Sequence, residues 1–360
     1  MVGVGFGAMW SSTSPAAAVA AHASLAVLAA VLTAAVAGCS GDEAATVDGV
    51  EVPDGYEVTL IADGLDRPTQ LTPGPDGSLL VAQLNGAEGE ESGQVLRLDP
   101  GDSAERTVLF DGLVTPTGVV AIGSDVWVME QRRLSRGAVT GGNLEVVFDE
   151  LPYNDRSEGT LSVDEQGRLL YNTSGSVDGV EAAEGSGVLW ALAPGSEPEP
   201  LATGFKHAYA RTFDDEGTLW QTEVSDGTYD GQPPPDELVA VEPGDDFGWP
   251  QCIGDRQPVE SYEGTQERCA DTPRPQALFA PGATPTSVAV APWDPDVLLV
   301  ALWNERRIVT VDRTRGDGPV RPETFLTGIE RPQHLLADGE RLLITDFEDG
   351  RILAVTAAEG

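Results

Sequence analysis

The sequence predicts an all-β fold, a six-bladed β-propeller, and three observations predict it. A unit of about 50 residues recurs along the chain, the period expected of propeller blades. Each copy carries an Asp/Gly turn followed by a short apolar strand: PDGSLLVAQ (75–83), GSDVWVMEQ (123–131), EQGRLLYNT (165–173), DEGTLWQTE (215–223), DPDVLLVAL (294–302) and DGERLLITD (338–346). A second strand follows each one, in QVLRLDP (94–100), RRLSRG (132–137), GVLWALAPG (187–195), DELVAVEPG (236–244), RRIVTVD (306–312) and GRILAVT (350–356). These alternate apolar and polar residues, as half-buried antiparallel strands do. Helical periodicity is absent from residue 56 onward.

In chain order, residues 1–38 come first and stand apart from the fold. Residues 16–38 are an almost unbroken Ala/Val/Leu run that ends in Val36-Ala37-Gly38-Cys39. This reads as a signal peptide (1–38) ending in a lipobox, with Cys39 lipidated. The protein is then anchored by lipid to the outer face of the cell membrane. A run of this length also suits an uncleaved transmembrane helix. The basic n-region usual in export signals is missing, since residues 1–40 hold no Lys or Arg. Residues 39–55 form a polar tether, and 56–360 form the propeller, a length that suits one large domain.

Within 56–360, a third strand closes most units: VTLIADGL (58–65), TVLFDGL (107–113), EVVFDEL (145–151), PLATGF (200–205) and ETFLTGI (323–329). The first has no blade before it, and the last blade lacks an outer strand. The N-terminal strand is therefore expected to pair near 350–356, which closes the ring and removes its exposed edges.

Charge bounds the partners. There are 59 Asp and Glu against 21 Lys and Arg, a net charge of -38. Such a surface repels a phosphate backbone, so nucleic acid is excluded as a partner. Three Cys minus the lipidated one leave Cys252 and Cys269, a pair expected to form a disulfide in an exported protein.

In a propeller, the segments leading into the innermost strands face the mouth of the central channel, and chemistry collects there. These segments hold Arg67 and Gln70, Thr115 and Thr117, Asp155, Arg156 and Glu158, Lys206, His207 and Tyr209, Thr284 and Thr286, and Arg331 and His334. Both His of the propeller and the only Lys of the chain fall in this set. Scarce residue types at equivalent repeat positions point to a ligand pocket for a polar or anionic ligand. The other reading is a shaft whose polar groups bond only one another and water. Phosphate-loop, dinucleotide and zinc signatures are absent from the sequence.

The stretch DELVAVEPGDDFGWPQC (236–252), with GLDRPTQLTPGPDGSLLVAQ (64–83), GFKHAYARTFDDEGTLWQTE (204–223) and FLTGIERPQHLLADGERLLITD (325–346), resembles the glucose/sorbosone dehydrogenase family of soluble quinoproteins. The resemblance covers residues 56–356, and the Cys252/Cys269 pair is similar to the sorbosone-type branch. It implies pyrroloquinoline quinone (PQQ) with Ca²⁺ over the channel mouth, and oxidation of a sugar or alcohol hydroxyl with a His as base. By position, it assigns catalytic roles to Asp155, Arg156 and His207, and cofactor contacts to Lys206, Arg307 and Arg331. Glu158, Tyr209 and His334 complete the expected ligand pocket.

The family's catalytic His falls on Arg156, and an Arg with a pKa above about 12 takes no proton at neutral pH. His207 is the candidate replacement base. Two functions therefore stand side by side: a PQQ-dependent sugar oxidoreductase, and a propeller of the same descent that only binds a ligand or a protein outside the cytoplasm.

Overall fold

The expected blades are present as six four-stranded antiparallel sheets. The structure, a computed structural model, describes residues 47–99, 105–154, 159–316 and 318–358. The signal peptide, its cleavage site, Cys39, Asp155, Arg156 and Glu158 lie outside the described residues.

Each blade runs from an inner to an outer strand. Blade 1 comprises Pro68–Pro73, Leu79–Gln83, Glu91–Leu98 and Arg106–Val114. Blade 4 comprises Ala208–Phe213, Leu219–Glu223, Asp236–Val241 and Ala277–Phe279. Blade 5 comprises Pro285–Ala291, Asp294–Leu302, Arg307–Asp312 and Glu323–Leu326. In blade 6, Pro332–Asp338, Arg341–Asp346 and Arg351–Ala357 are completed by Tyr56–Ala62. The last two strands pair from Tyr56 with Ala357 to Ala62 with Ile352, so the N-terminal strand closes the ring as expected.

The core is divided among the seams between neighbouring blades. Leu299, Ile308, Leu326, Leu342 and Leu353 fill the seam between blades 5 and 6, and similar buried clusters fill the others around the ring. Ahead of blade 6, Glu51 and Thr327 exchange backbone hydrogen bonds of 3.0 Å while Val47, Val50 and Val52 pack on the blade 5–6 seam. This contact needs a glycine at 328, because a Cβ there would sit 1.7 Å from the Gly49 carbonyl oxygen.

Inner strands open in a repeated way. Arg67-Pro68-Thr69, Thr115-Pro116-Thr117, Thr284-Pro285-Thr286 and Arg331-Pro332-Gln333 each place a proline at the point where a strand meets the shaft. An inner strand has an unpaired edge, so the missing N–H of proline goes unmissed there. β-Bulges follow between Pro68 and Leu71, Ala208 and Arg211, Pro285 and Ser287, and Pro332 and His334. A bulge inserts an extra residue and re-aims side chains. Gln70, Tyr209, Thr286 and Gln333 are the residues it turns.

The outer strand of blade 4 is only Ala277–Phe279, and it follows an insertion that carries the Cys252–Cys269 disulfide and a five-residue helix, Gln266–Ala270. The expected bridge is thus present. Among the described residues, no helix is long and apolar enough to cross a membrane.

Candidate functional site

A cavity of about 310 Å³ opens where blades 4, 5 and 6 meet the channel mouth. Blade 4 contributes His207, Tyr209, Val224, Asp226 and Asp236; blade 5 contributes Thr284, Thr286, Trp303 and Asn304; blade 6 contributes Gln333. A site of this size, with aromatic walls and a few convergent polar groups, suits a small ligand.

The blade 4 wall is held from behind by Glu223. Its Oε1 accepts hydrogen bonds from the backbone N–H of Lys206 and of His207, the latter at 3.0 Å. Burial pushes this carboxyl well above the usual carboxylate range, and the nearby Glu237 adds to the effect. Glu223 and Glu237 are cross-strand partners, and both face a small cavity of about 20 Å³ under the disulfide insertion. His207 meets the Tyr209 ring edge-on at 5.4 Å. The Tyr209 hydroxyl accepts a 2.7 Å hydrogen bond from Gln333 Nε2, and burial raises the phenol above its ordinary range. Tyr209 is therefore a protonated donor at any physiological pH.

Asp236 ties two blades together. Its Oδ1 accepts from the Ser225 N–H and its Oδ2 from the Thr284 N–H, both at 2.8 Å. Thr284 is in the left-handed region (φ 60), which few non-glycine residues occupy and which commonly marks a functional site. Burial pushes Asp236 up to about 6, with Asp226 and Glu305 adding like-charge repulsion.

The expected cations are already engaged. Lys206 Nζ lies 3.6 Å from Asp226, donates to the Gly175 carbonyl at 3.1 Å and sits 5.3 Å from the Trp249 ring centre. Arg307 is turned toward the outer edge of blade 5, bound to Glu305 and, at 2.6 Å, to Thr324 Oγ1, so its expected place in the pocket is corrected. Arg331 lies 4.1 Å over Trp303 at the rim and donates to the Trp303 carbonyl at 3.1 Å.

His334 also needs correction. The bulge at Gln333 gives the cavity position to Gln333 and sends His334 toward blade 1, where its Nδ1 accepts the Leu71 N–H at 3.5 Å. Burial pushes its pKa down to about 3, so it is a neutral structural imidazole. Gln70 is likewise structural. Its Oε1 accepts from Val119 and Leu161 N–H, and its Nε2 donates to the Leu161 carbonyl at 2.7 Å, linking three blades across the shaft. Part of the polar mouth set thus serves the shaft, and part lines a cavity.

The closed six-bladed propeller thus carries, among the described residues, an aromatic-walled cavity with a few polar groups at this corner of its mouth. Residues 190–354 match the family model described as Glucose / Sorbosone dehydrogenase, which shows over that span the resemblance read from the sequence. The likeness to that family is confined to the matched span. The same fold occurs in the holo PQQ domain of Coprinopsis cinerea pyranose dehydrogenase (TM-score 0.70, 17% identity, 88% of this chain and 99% of that one). It occurs in the PQQ-bound aldose sugar dehydrogenase of Streptomyces coelicolor (0.62, 21%, 85% and 99%) and in the apo-form of the soluble aldose sugar dehydrogenase of Escherichia coli (0.65, 16%, 84% and 99%). No curated protein matches the chain in sequence.

Proposed function

We propose that the protein is a carbohydrate-binding propeller of the sugar-dehydrogenase type, held at the outer face of the membrane by a lipid on Cys39. The observation that carries the binding reading is the mouth cavity, where Tyr209 offers a proton and Asn304, Gln333, Thr284 and Asp226 offer further polar groups beside the Trp303 ring. Planar aromatic and directional polar groups together are what a polyhydroxylated ring requires.

PQQ carries three carboxylates and calls for cations. The described lining of the cavity holds two carboxylates and no Lys or Arg, while Lys206 and Arg307 are spent on Asp226 and Glu305. Among the described residues, no group of three or more His, Cys, Asp or Glu stands together as metal ligands. The described residues do not fit the quinone and its Ca²⁺, so no catalytic step is derived through them. The second reading, quinone-dependent oxidation of a sugar hydroxyl, draws on the family match over 190–354 and on the place of His207 in the cavity wall.

Titration of the purified protein with aldoses is expected to give saturable heats, whereas adding PQQ and Ca²⁺ before the sugar should give no quinone bleaching. Rapid bleaching would establish the second reading in place of the first. The anchor is supported by the Val36-Ala37-Gly38-Cys39 string and by a disulfide that calls for an oxidising compartment. Cys39→Ser is expected to move the protein from the membrane to the soluble fraction on cell fractionation, and an unchanged distribution would count against lipidation.

A further inference from the structure

Among the described residues, most polar groups in the wall of the mouth cavity are committed to the protein itself. Asn304 Nδ2 donates to Thr284 Oγ1 at 2.8 Å and to the Gly282 carbonyl at 3.0 Å, and its Oδ1 accepts from Arg331 at 3.4 Å. Asp236 accepts two backbone N–H groups, Asp226 is paired with Lys206, and the Thr286 hydroxyl donates to the Pro332 carbonyl at 2.9 Å. The bond between Tyr209 and Gln333 is different. Gln333 Nε2 donates to the Tyr209 hydroxyl at 2.7 Å, which leaves the phenolic proton with no acceptor among the described residues. Gln333 Oε1 likewise meets no donor among them. With the amide turned over, Tyr209 would donate to the amide oxygen, and the amide N–H groups would be free instead. In either arrangement the pair shows the cavity a free donor beside a free acceptor.

The two side chains belong to blades 4 and 6, so their bond bridges the inner strand of blade 5. Each is set by a bulge at the start of its strand, and each is more than nine-tenths buried, at 8% and 6% exposed. His207 stands edge-on to the Tyr209 ring at 5.4 Å and packs it in place. A buried donor without an acceptor costs free energy that a ligand oxygen recovers. Because packing already fixes its geometry, little further ordering is needed on binding.

We infer that Tyr209 and Gln333 are the specificity-determining pair of the mouth, and that together they read a single hydroxyl of the sugar. The ligand oxygen accepts from one partner, and the ligand proton is donated to the other. A hydroxyl meets both demands at once, whereas a methylene meets neither, and the buried groups are then left unmatched. This rests on the reading of the cavity as a sugar site.

The test is a double-mutant cycle, read by calorimetric titration of the full-length protein without quinone. Whichever of glucose, galactose and mannose binds most tightly is compared with its monodeoxy analogues. One analogue is expected to bind about tenfold to a hundredfold more weakly than the parent sugar. Tyr209→Phe, which keeps the ring, should weaken the parent sugar by a similar factor and leave that analogue nearly unchanged, so that the two losses do not add. Should Tyr209→Phe fail to fold, Gln333→Leu carries the same cycle from blade 6. Losses that add at every sugar position, or unchanged affinity for the parent sugar in the variant, overturn the role of the pair while leaving the sugar site standing. No binding by any of the three aldoses overturns both.

Discussion

Arg211→Ala is expected to destabilise the propeller by about 3–5 kcal/mol, measured as a lowered urea midpoint at unchanged slope. Arg211 stands on the inner strand of blade 4, fully buried, and among the described residues no carboxylate is bonded to it. Its guanidinium instead donates to the carbonyls of Thr160 (2.7 Å), Leu170 (3.2 Å) and Ala208 (3.3 Å), to Gln221 Oε1 (2.9 Å) and to Asn172 Oδ1 (3.0 Å). Burial pushes its pKa down to about 9, which leaves it charged at neutral pH. One side chain thus satisfies acceptors on blades 3 and 4 that water cannot easily reach. Truncation leaves several of them without a donor, at about 1–3 kcal/mol for each group that finds no substitute, and opens a void. Arg211→Met fills the volume without donors and should recover only a small part. Arg211→Lys should recover little more, since an ammonium has three donors and no planar fork. A loss below about 1 kcal/mol for the alanine variant would show that neighbouring groups or water take over the acceptors.

The contrast between Arg211 and the mouth residues shows what the sequence does and does not reveal. The blades were legible because period-2 alternation and Asp/Gly turns are local signals, and each middle strand met them. The outer strand of blade 4 was not, because Ala277–Phe279 has three residues and follows a long insertion. At the site, residue type singled out His207 and Tyr209, which line the cavity, but could not separate them from His334 or Gln70. That separation is made by bulges, which shift the facing of a strand by one residue and leave little trace in composition. A usable signal was present in the recurring X-Pro-Thr/Gln string, which marks the start of four inner strands, two of which give Thr284, Thr286 and Gln333 to the cavity. Asp226 and Asp236 were missed as site residues because, in an acidic chain, a carboxylate is not a rare type. Pairing partners are long-range facts: Arg307 meets Thr324, and Lys206 meets Asp226 and Gly175.

Glu237→Gln is expected to become progressively more stable than the unmodified protein as pH rises, from near equality at pH 5 to an advantage on the order of 2–3 kcal/mol at pH 8.5. Glu237 is buried behind the disulfide insertion, its Oε1 accepting the Gly254 N–H at 2.7 Å. Burial pushes its pKa up to about 7, with Asp236 and Asp255 adding repulsion, while in the unfolded chain it titrates near the ordinary value of about 4.3. Between those values the folded protein holds a proton that the unfolded chain has released. Stability from this group is therefore fully present below the unfolded pKa and is lost as pH rises through the folded one. Glu223 and Asp236 act in the same direction, and His334, held down at about 3, acts in the opposite one below pH 6.5. Comparing variant with parent cancels the His334 contribution, and relief of the repulsion between Glu237 and Glu223 adds to the variant's advantage. The glutamine keeps the oxygen that accepts from Gly254 and cannot ionise. General repulsion in so acidic a chain also grows with pH, but at 1 M salt it is screened beyond about 3 Å, while a buried carboxyl is screened far less. The advantage at pH 8.5 should consequently survive 1 M salt. Parallel stability curves for the two proteins across pH 5–8.5 would mean that Glu237 is ionised in the fold at little expense, with a compensating donor supplied by the insertion.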